Sequence, residues 1–159
     1  MVSELGQHTG PDGTSKSLGG QADFEWFVSL RNRAEVILTS GLTYEVEQYR
    51  MPKNSALAIF SRNSEKRRFP AEAVRISDED AGDYQEAFSS LRARGFKSVH
   101  CEFGPTGFVE LSRSAAIESY LSSASLQGIE MFTGVHKLHF DIVRSEGLFI
   151  ARIGSVAVH

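Results

Sequence analysis

The chain carries a single cysteine, Cys101, in 159 residues. No intramolecular disulfide can form, and a zinc site built on paired thiolates lacks its second thiol. The apolar neighbours of Cys101 mark it as a small buried side chain rather than a reactive thiol. Long apolar runs are missing too. None approaches the roughly 18 residues that a spanning helix needs, and the N-terminus lacks the charged-then-apolar pattern of a signal peptide. These absences point to the cytoplasm and away from a membrane partner. An excess of one charge is also lacking: 17 basic and 20 acidic residues leave a formal charge of -3. That balance gives no electrostatic reason to expect nucleic acid, although Lys66 to Arg68 forms one basic run. No G-x-S-x-G elbow and no internal repeat occurs, so a nucleophilic hydrolase and a solenoid have no sequence support.

What is present is an ordinary globular composition, 41% hydrophobic and 23% charged, in a length suited to one domain. A single domain over residues 1–159 is expected. Residues 1–20 read as an irregular leader, rich in Gly, Ser and Thr around a Pro11-Asp12-Gly13 turn signal. Asp23 is placed to cap a helix whose apolar stripe is Phe24, Phe27, Val28 and Leu30, ending near Arg33. Glu35 to Thr39 holds the run Val36-Ile37-Leu38, a buried strand that leads into Ser40-Gly41-Leu42-Thr43 and a short polar helix over Tyr44 to Tyr49. Leu57 to Phe60 repeats the apolar pattern and ends on Ser61 and Arg62. A hydroxyl and a guanidinium at a strand end suit a phosphate monoester.

Ala73 to Ile76 reads as a brief strand, after which Ser77 to Asp80 opens in the manner of a capping box. The helix beyond it spaces Tyr84, Ala87, Phe88 and Leu91 along one face and stops at Gly95. Val99 to Gly107, VHCEFGPTG, then packs a strand, a Gly-Pro turn and a helix start into nine residues. Gly104 permits close backbone approach, and Pro105 suits the first helical position because its missing N–H would be unpaired there in any case. A helix start aimed outward from a strand end favours an anion, often a nucleotide phosphate. Ile117 to Leu121 reads as a strand, whereas Leu126 to Gly134 shows no single period. Leu138, Phe140 and Ile142 alternate with polar residues, Ser145 to Gly147 supply a turn and Leu148 to Ile153 return, predicting a C-terminal hairpin. Strands alternating with helices before a hairpin imply an α/β fold, mainly parallel with an antiparallel edge.

Other groupings carry less. His136, His139 and Asp141 are not a metal triad if they share one strand, since the two histidines then face opposite sides. The aromatic residues Phe24, Trp26, Phe27, Tyr84 and Phe88 read as core rather than as a ligand cage.

The succession of motifs resembles the reductase domain of riboflavin biosynthesis and its relatives. The likeness lies in PDGTSKSLGGQADFEWFVSLRNRAEVILTSGLTYEVEQY, LAIFSR, GFKSVHCEFGPTGFVELSRSAAIESYL and SEGLFIAR, which together cover most of the chain. Its most specific parts are ILTSG-x-T with a Glu and a Tyr downstream, and EFGPT where the family has EGGPT. The resemblance implies a three-layer, dihydrofolate-reductase-like α/β fold with a mostly parallel central sheet and a C-terminal antiparallel hairpin. It also implies NADPH as cofactor and hydride transfer to a C=O or C=N of a pyrimidine, pteridine or related small substrate. Carried over residue by residue, Ser40, Gly41 and Thr43 would face the cofactor's phosphates or ribose. Ser61 and Arg62 would meet the 2′-phosphate side, and Glu102, Phe103, Gly104, Pro105 and Thr106 would form the other wall of the pyrophosphate site. The chain departs from the pattern in three places. Phe103 replaces a glycine, with a side chain expected to crowd the phosphates; Leu5 replaces an acid; and the usual first strand, which would lie just before Ser3, is missing or cut to a stub. Those departures motivate a second expectation, a non-catalytic binding or assembly module that pairs as a homodimer. A split-barrel flavoprotein is a third, resting only on the C-terminal hairpin.

Overall fold

The computed structural model describes residues 1–61, 67–77, 81–114 and 117–154. Arg62, Lys66 and the acidic run Asp78 to Asp80 lie outside them. The chain divides into two compact units, Phe27–Gly104 and Met1–Trp26 with Pro105–His159. One division falls inside helix α1 (Gln21–Arg31) and the other at the Gly104–Pro105 bond.

The first unit is built on a four-stranded parallel sheet of β1 (Val36–Ser40), β2 (Ala56–Phe60), β3 (Val74–Ile76) and β4 (Val99–Glu102), in the order β3-β2-β1-β4. Strands β1 and β2 are apolar at consecutive positions because both faces of the sheet are covered. Val36, Leu38, Ala58, Phe60 and Ile76 meet Ala87 and Leu91 of α3 (Tyr84–Ala93) on one face. On the other, Ile37, Leu57 and Ile59 pack with Phe69 and Ala73, with Tyr44 and Tyr49 against them. Helix α3 follows the expected spacing and stops as expected, with Gly95 at φ 96° just past its C-cap Arg94. Its N-cap is Asp83, whose carboxylate accepts the Glu86 N–H at 2.9 Å. Helix α2 (Gly41–Val46) begins directly from β1, capped by Ser40.

The second unit contains a three-stranded antiparallel sheet of β5 (Ser119–Ser123), β6 (His139–Arg144) and β7 (Phe149–Gly154), in the order β5-β7-β6. Parallel pairing at the strand-helix repeats and antiparallel pairing at the C-terminus are thus both present, distributed over two sheets. The core of this unit joins Leu121, Ala151 and Ile153 to Ile129 and Phe132 of α5 (Leu126–His136). Helix α4 (Pro105–Ser112) carries Pro105 at its first position, as its sequence predicts.

Asp23 does not cap α1 but lies in its first turn, where its carboxylate accepts the Ser122 hydroxyl at 2.6 Å. Phe24, expected in an apolar stripe, is 60% exposed, and no residue of α1 is fully buried. Strand β5 begins two residues later than expected. Residues 126–136, without a readable period, are helical: Ser125 caps them, and Gly128 interrupts their apolar pattern for a local reason. A Cβ on Gly128 would stand 2.1 Å from the Ser3 carbonyl oxygen, so only glycine admits the leader against α5. His136 ends α5 and His139 opens β6, so the two histidines do not share a strand. The leader is irregular, yet Val2 is fully buried and forms a parallel bridge to Ser123, its N–H donating to the Ser122 carbonyl at 2.8 Å.

Candidate functional site

Parallel pairing fixes where the strands of the first unit stop. Ser40 is paired with Phe60 and Thr39 with Glu102, so β1 and β2 end level and β4 ends one residue earlier. The residues immediately beyond, Ser61, Gly41 and Phe103-Gly104, therefore follow along the C-terminal rim of one sheet, the edge at which open α/β sheets bind ligands.

Packing at this rim explains its residue types. A Cβ on Gly41 would lie 2.8 Å from the Ser61 Oγ and 3.1 Å from the Phe69 ring, so glycine is needed for α2 to start against the end of β2. Ser40 Oγ accepts the Thr43 N–H at 3.1 Å and shares a hydrogen bond with Thr43 Oγ1 at 2.8 Å. Thr43 Oγ1 in turn accepts the Gly104 N–H at 3.1 Å, tying α2 to the turn after β4. The two hydroxyls own two hydrogens and use one between themselves. Among the described residues the second has no protein acceptor, which leaves a donor at the rim for an oxygen-rich ligand.

Strand β4 divides its side chains by alternation. Val99, Cys101 and Phe103 turn toward the α3 face. The Phe103 ring lies 4.7 Å from that of Tyr84, so it fills the core side rather than the space above the rim. Burial, and then the Glu102 charge, push the Cys101 thiol up to about 12, consistent with an inert side chain. His100 and Glu102 turn to the opposite face. There the Glu102 carboxylate, 7% exposed, receives both prongs of the Arg31 guanidinium at 2.7 and 2.6 Å, the Tyr49 hydroxyl, and His100 Nε2 at 3.3 Å. The Glu102 carbonyl accepts the Thr39 hydroxyl at 2.7 Å. Arg31 stacks over the Phe27 ring at 4.3 Å and the Tyr49 ring at 5.2 Å. Burial alone would raise the Glu102 carboxyl, but the hydrogen bonds of Arg31 and His100 and the Arg31 charge outweigh it and hold the group at about 2. Burial, and then the Glu102 charge, push the Tyr49 phenol well above its ordinary range. The carboxylate is ionised, its partner phenol is neutral, and the charge is spent inside the protein.

Of the residues named from sequence, Ser40, Gly41, Thr43, Ser61, Glu102, Phe103 and Gly104 all belong to this rim. Glu102 and Phe103 contribute through their backbone, since their side chains leave on opposite faces. Pro105 and Thr106 open α4 in the other unit, where with His8, Arg113 and His136 they line an open depression of about 510 Å³. Arg62 lies outside the described residues. Sequence reading missed Arg31, Tyr49 and His100 as partners of Glu102. The one available signal was alternation along β4, which puts positions 100 and 102 on the same face; nothing in spacing connects positions 31, 49 and 102.

Neither a protein-family model nor a curated protein matches this chain in sequence. Solved structures match it in shape. A pyrimidine reductase-like protein of Corynebacterium diphtheriae superposes with a TM-score of 0.65 at 17% identity, covering 92% of this chain and 86% of the other. A diaminohydroxyphosphoribosylaminopyrimidine deaminase/5-amino-6-(5-phosphoribosylamino)uracil reductase of Thermotoga maritima gives 0.67 at 15% identity over 97% of this chain, which spans 54% of that larger protein. The dihydrofolate reductase of Schistosoma mansoni gives 0.57 at 15% identity, over 96% and 92% of the two chains. The fold is dihydrofolate-reductase-like, as the resemblance implied. Among the described residues no helix is long and apolar enough to cross a membrane.

Proposed function

We propose that this chain is an NADPH-dependent reductase of a pyrimidine, pteridine or related small molecule, with residues 1–159 serving as one reductase domain in the cytoplasm. The observation that carries the reading is that β2, β1 and β4 end within about one residue of each other, which strings Ser61, Ser40, Thr43 and Gly104 along one rim. Hydroxyls and a glycine backbone are the groups that phosphate and ribose oxygens require. NADPH, when bound, supplies the hydride. The chain's own contribution is to bind, orient and exclude water, and no side chain at the rim is needed as a covalent participant. Arg62, next in sequence to Ser61, is assigned to the 2′-phosphate because a guanidinium pairs with a phosphate monoester through two parallel hydrogen bonds.

Thermal unfolding with and without NADPH tests this. A ligand at about 100 times its Kd adds about 2.7 kcal/mol, which in a chain of this size raises Tm by about 5–10 °C. No shift at millimolar NADPH removes the reading. Oxidation of NADPH by candidate pyrimidines and pteridines then identifies the substrate class. One observation favours a second reading, that of a non-catalytic binding or assembly module: the Gly104 N–H is already spent on Thr43. That reading expects a folded protein, indifferent to NADPH, whose homodimer is visible by sedimentation.

A further inference from the structure

The buried cluster around Glu102 contains a carboxylate, a guanidinium, a phenol and an imidazole, yet it lies behind the rim rather than on it. Charged groups are costly to bury unless fully paired, so their presence there calls for a role beyond packing. The geometry identifies one. Three anchors converge on the last residue of β4 and the one after it: the Glu102 side chain is gripped by Arg31 and Tyr49, its carbonyl by Thr39, and the Phe103 ring by Tyr84. Arg31 is itself fixed. It stacks on two rings, and its carbonyl accepts the Ser55 hydroxyl at 3.1 Å. Residues 102 and 103 are thus held from both faces of the sheet, and the next N–H along the chain is that of Gly104, which meets Thr43 Oγ1.

We infer that Arg31, Glu102 and Tyr49 form a positioning clamp, which sets the Gly104 amide and through it the Thr43 and Ser40 hydroxyls for the phosphate oxygens of a dinucleotide. The ligand half of this statement rests on the proposed NADPH function, whereas the clamp itself is a property of the ligand-free protein. Glu102 therefore acts from beneath the site and touches no ligand. Tyr49 and Arg31, neither of which lines the rim, become determinants of affinity.

Amide hydrogen exchange of the ligand-free protein, read beside NADPH affinity, tests the clamp. Tyr49→Phe keeps the ring under Arg31 and removes one hydrogen bond to the carboxylate; Arg31→Lys keeps the charge and removes the two-pronged grip. A lost hydrogen bond to a charged group corresponds to about tenfold or more in a local opening equilibrium. The Gly104 amide is expected to exchange about that much faster in Tyr49→Phe and faster again in Arg31→Lys, with the β2 amides of Leu57 to Phe60 unchanged and NADPH affinity weakened in the same order. Thr43→Val, which removes the acceptor outright, gives the upper limit for Gly104 exchange. Unchanged Gly104 exchange in both clamp variants, or an equal acceleration in β2, overturns the clamp. Accelerated exchange confined to Gly104 in a protein that never binds NADPH upholds the clamp and discards the cofactor reading instead.

Discussion

The two sheets of this protein use the same kinds of residue differently. In the parallel sheet, β1 and β2 are buried almost throughout, and polar groups cluster where the strands stop. In the antiparallel sheet, β6 is exposed along nearly its whole length, and its Asp141 meets Arg152 across the ladder at 3.5 Å in the open. A sheet covered on both faces has only its ends available for chemistry, so its serines, threonine and glycines gather at one rim. A sheet covered on one face spends its polar residues on solvent and gains no site from them. The lesson is that polarity at the ends of otherwise apolar strands is the more informative signal.

Core truncation draws this contrast most sharply. Leu38→Ala in β1 removes a side chain buried on a doubly covered sheet and is expected to cost about 3–5 kcal/mol in chemical denaturation. A cost below about 1 kcal/mol would deny that the parallel sheet is the tightly packed element. Next in size is Arg31→Met, which strands the Glu102 carboxylate without its main partner. Loss of about 3 kcal/mol is expected, and adding Glu102→Gln should recover part of it, because the two residues form one unit.

The same cluster sets the acid limb of stability. The Glu102 carboxyl is depressed in the folded state to about 2 from an ordinary 4.5. Its contribution is therefore complete above pH 4.5 and is lost as the pH falls toward 2. Arg31 from α1, Tyr49 from the segment after α2, His100 from β4 and the Thr39 hydroxyl from β1 all face that site. Denaturation midpoints of Glu102→Gln should decline less steeply over that interval than those of the wild type. Equal slopes would show that the carboxyl is not held down by its partners.

A smaller effect belongs to Asp83→Ala, which removes the N-cap of α3 and should cost about 1 kcal/mol. Smallest is Ile142→Ser on β6, at 39% exposure, expected to change stability by no more than about 0.5 kcal/mol. A large loss there would mean that the open sheet is covered in solution, erasing the contrast between the two sheets.

The legible part of the fold followed the same division. Val36-Ile37-Leu38 and Leu57-Ala58-Ile59-Phe60 announced buried parallel strands because every position is apolar, and the residues after them fell at the rim as expected. Helix α5 was illegible because Gly128 serves the Ser3 carbonyl, a contact between positions 125 residues apart that no local period encodes. Asp23 looked like a cap because its residue type suits one, yet its carboxylate is drawn to Ser122, 99 residues away. The rim was readable from local sequence, since each loop carries its own Ser, Thr or Gly. The clamp behind it was not, because Arg31, Tyr49 and Glu102 meet only after β1 and β4 have paired. The face taken by the Phe103 ring was illegible for a related reason: one position along an extended segment decides which side a ring takes.

The most direct test of the central claim is a titration of the isotopically labelled protein with NADPH, followed by backbone amide chemical shifts. The account predicts that Gly41, Thr43, Ser61 and Gly104, which come from three separate loops, move together and saturate at one common Kd. Shifts confined to a single loop, or a spectrum that NADPH leaves unchanged, would contradict it.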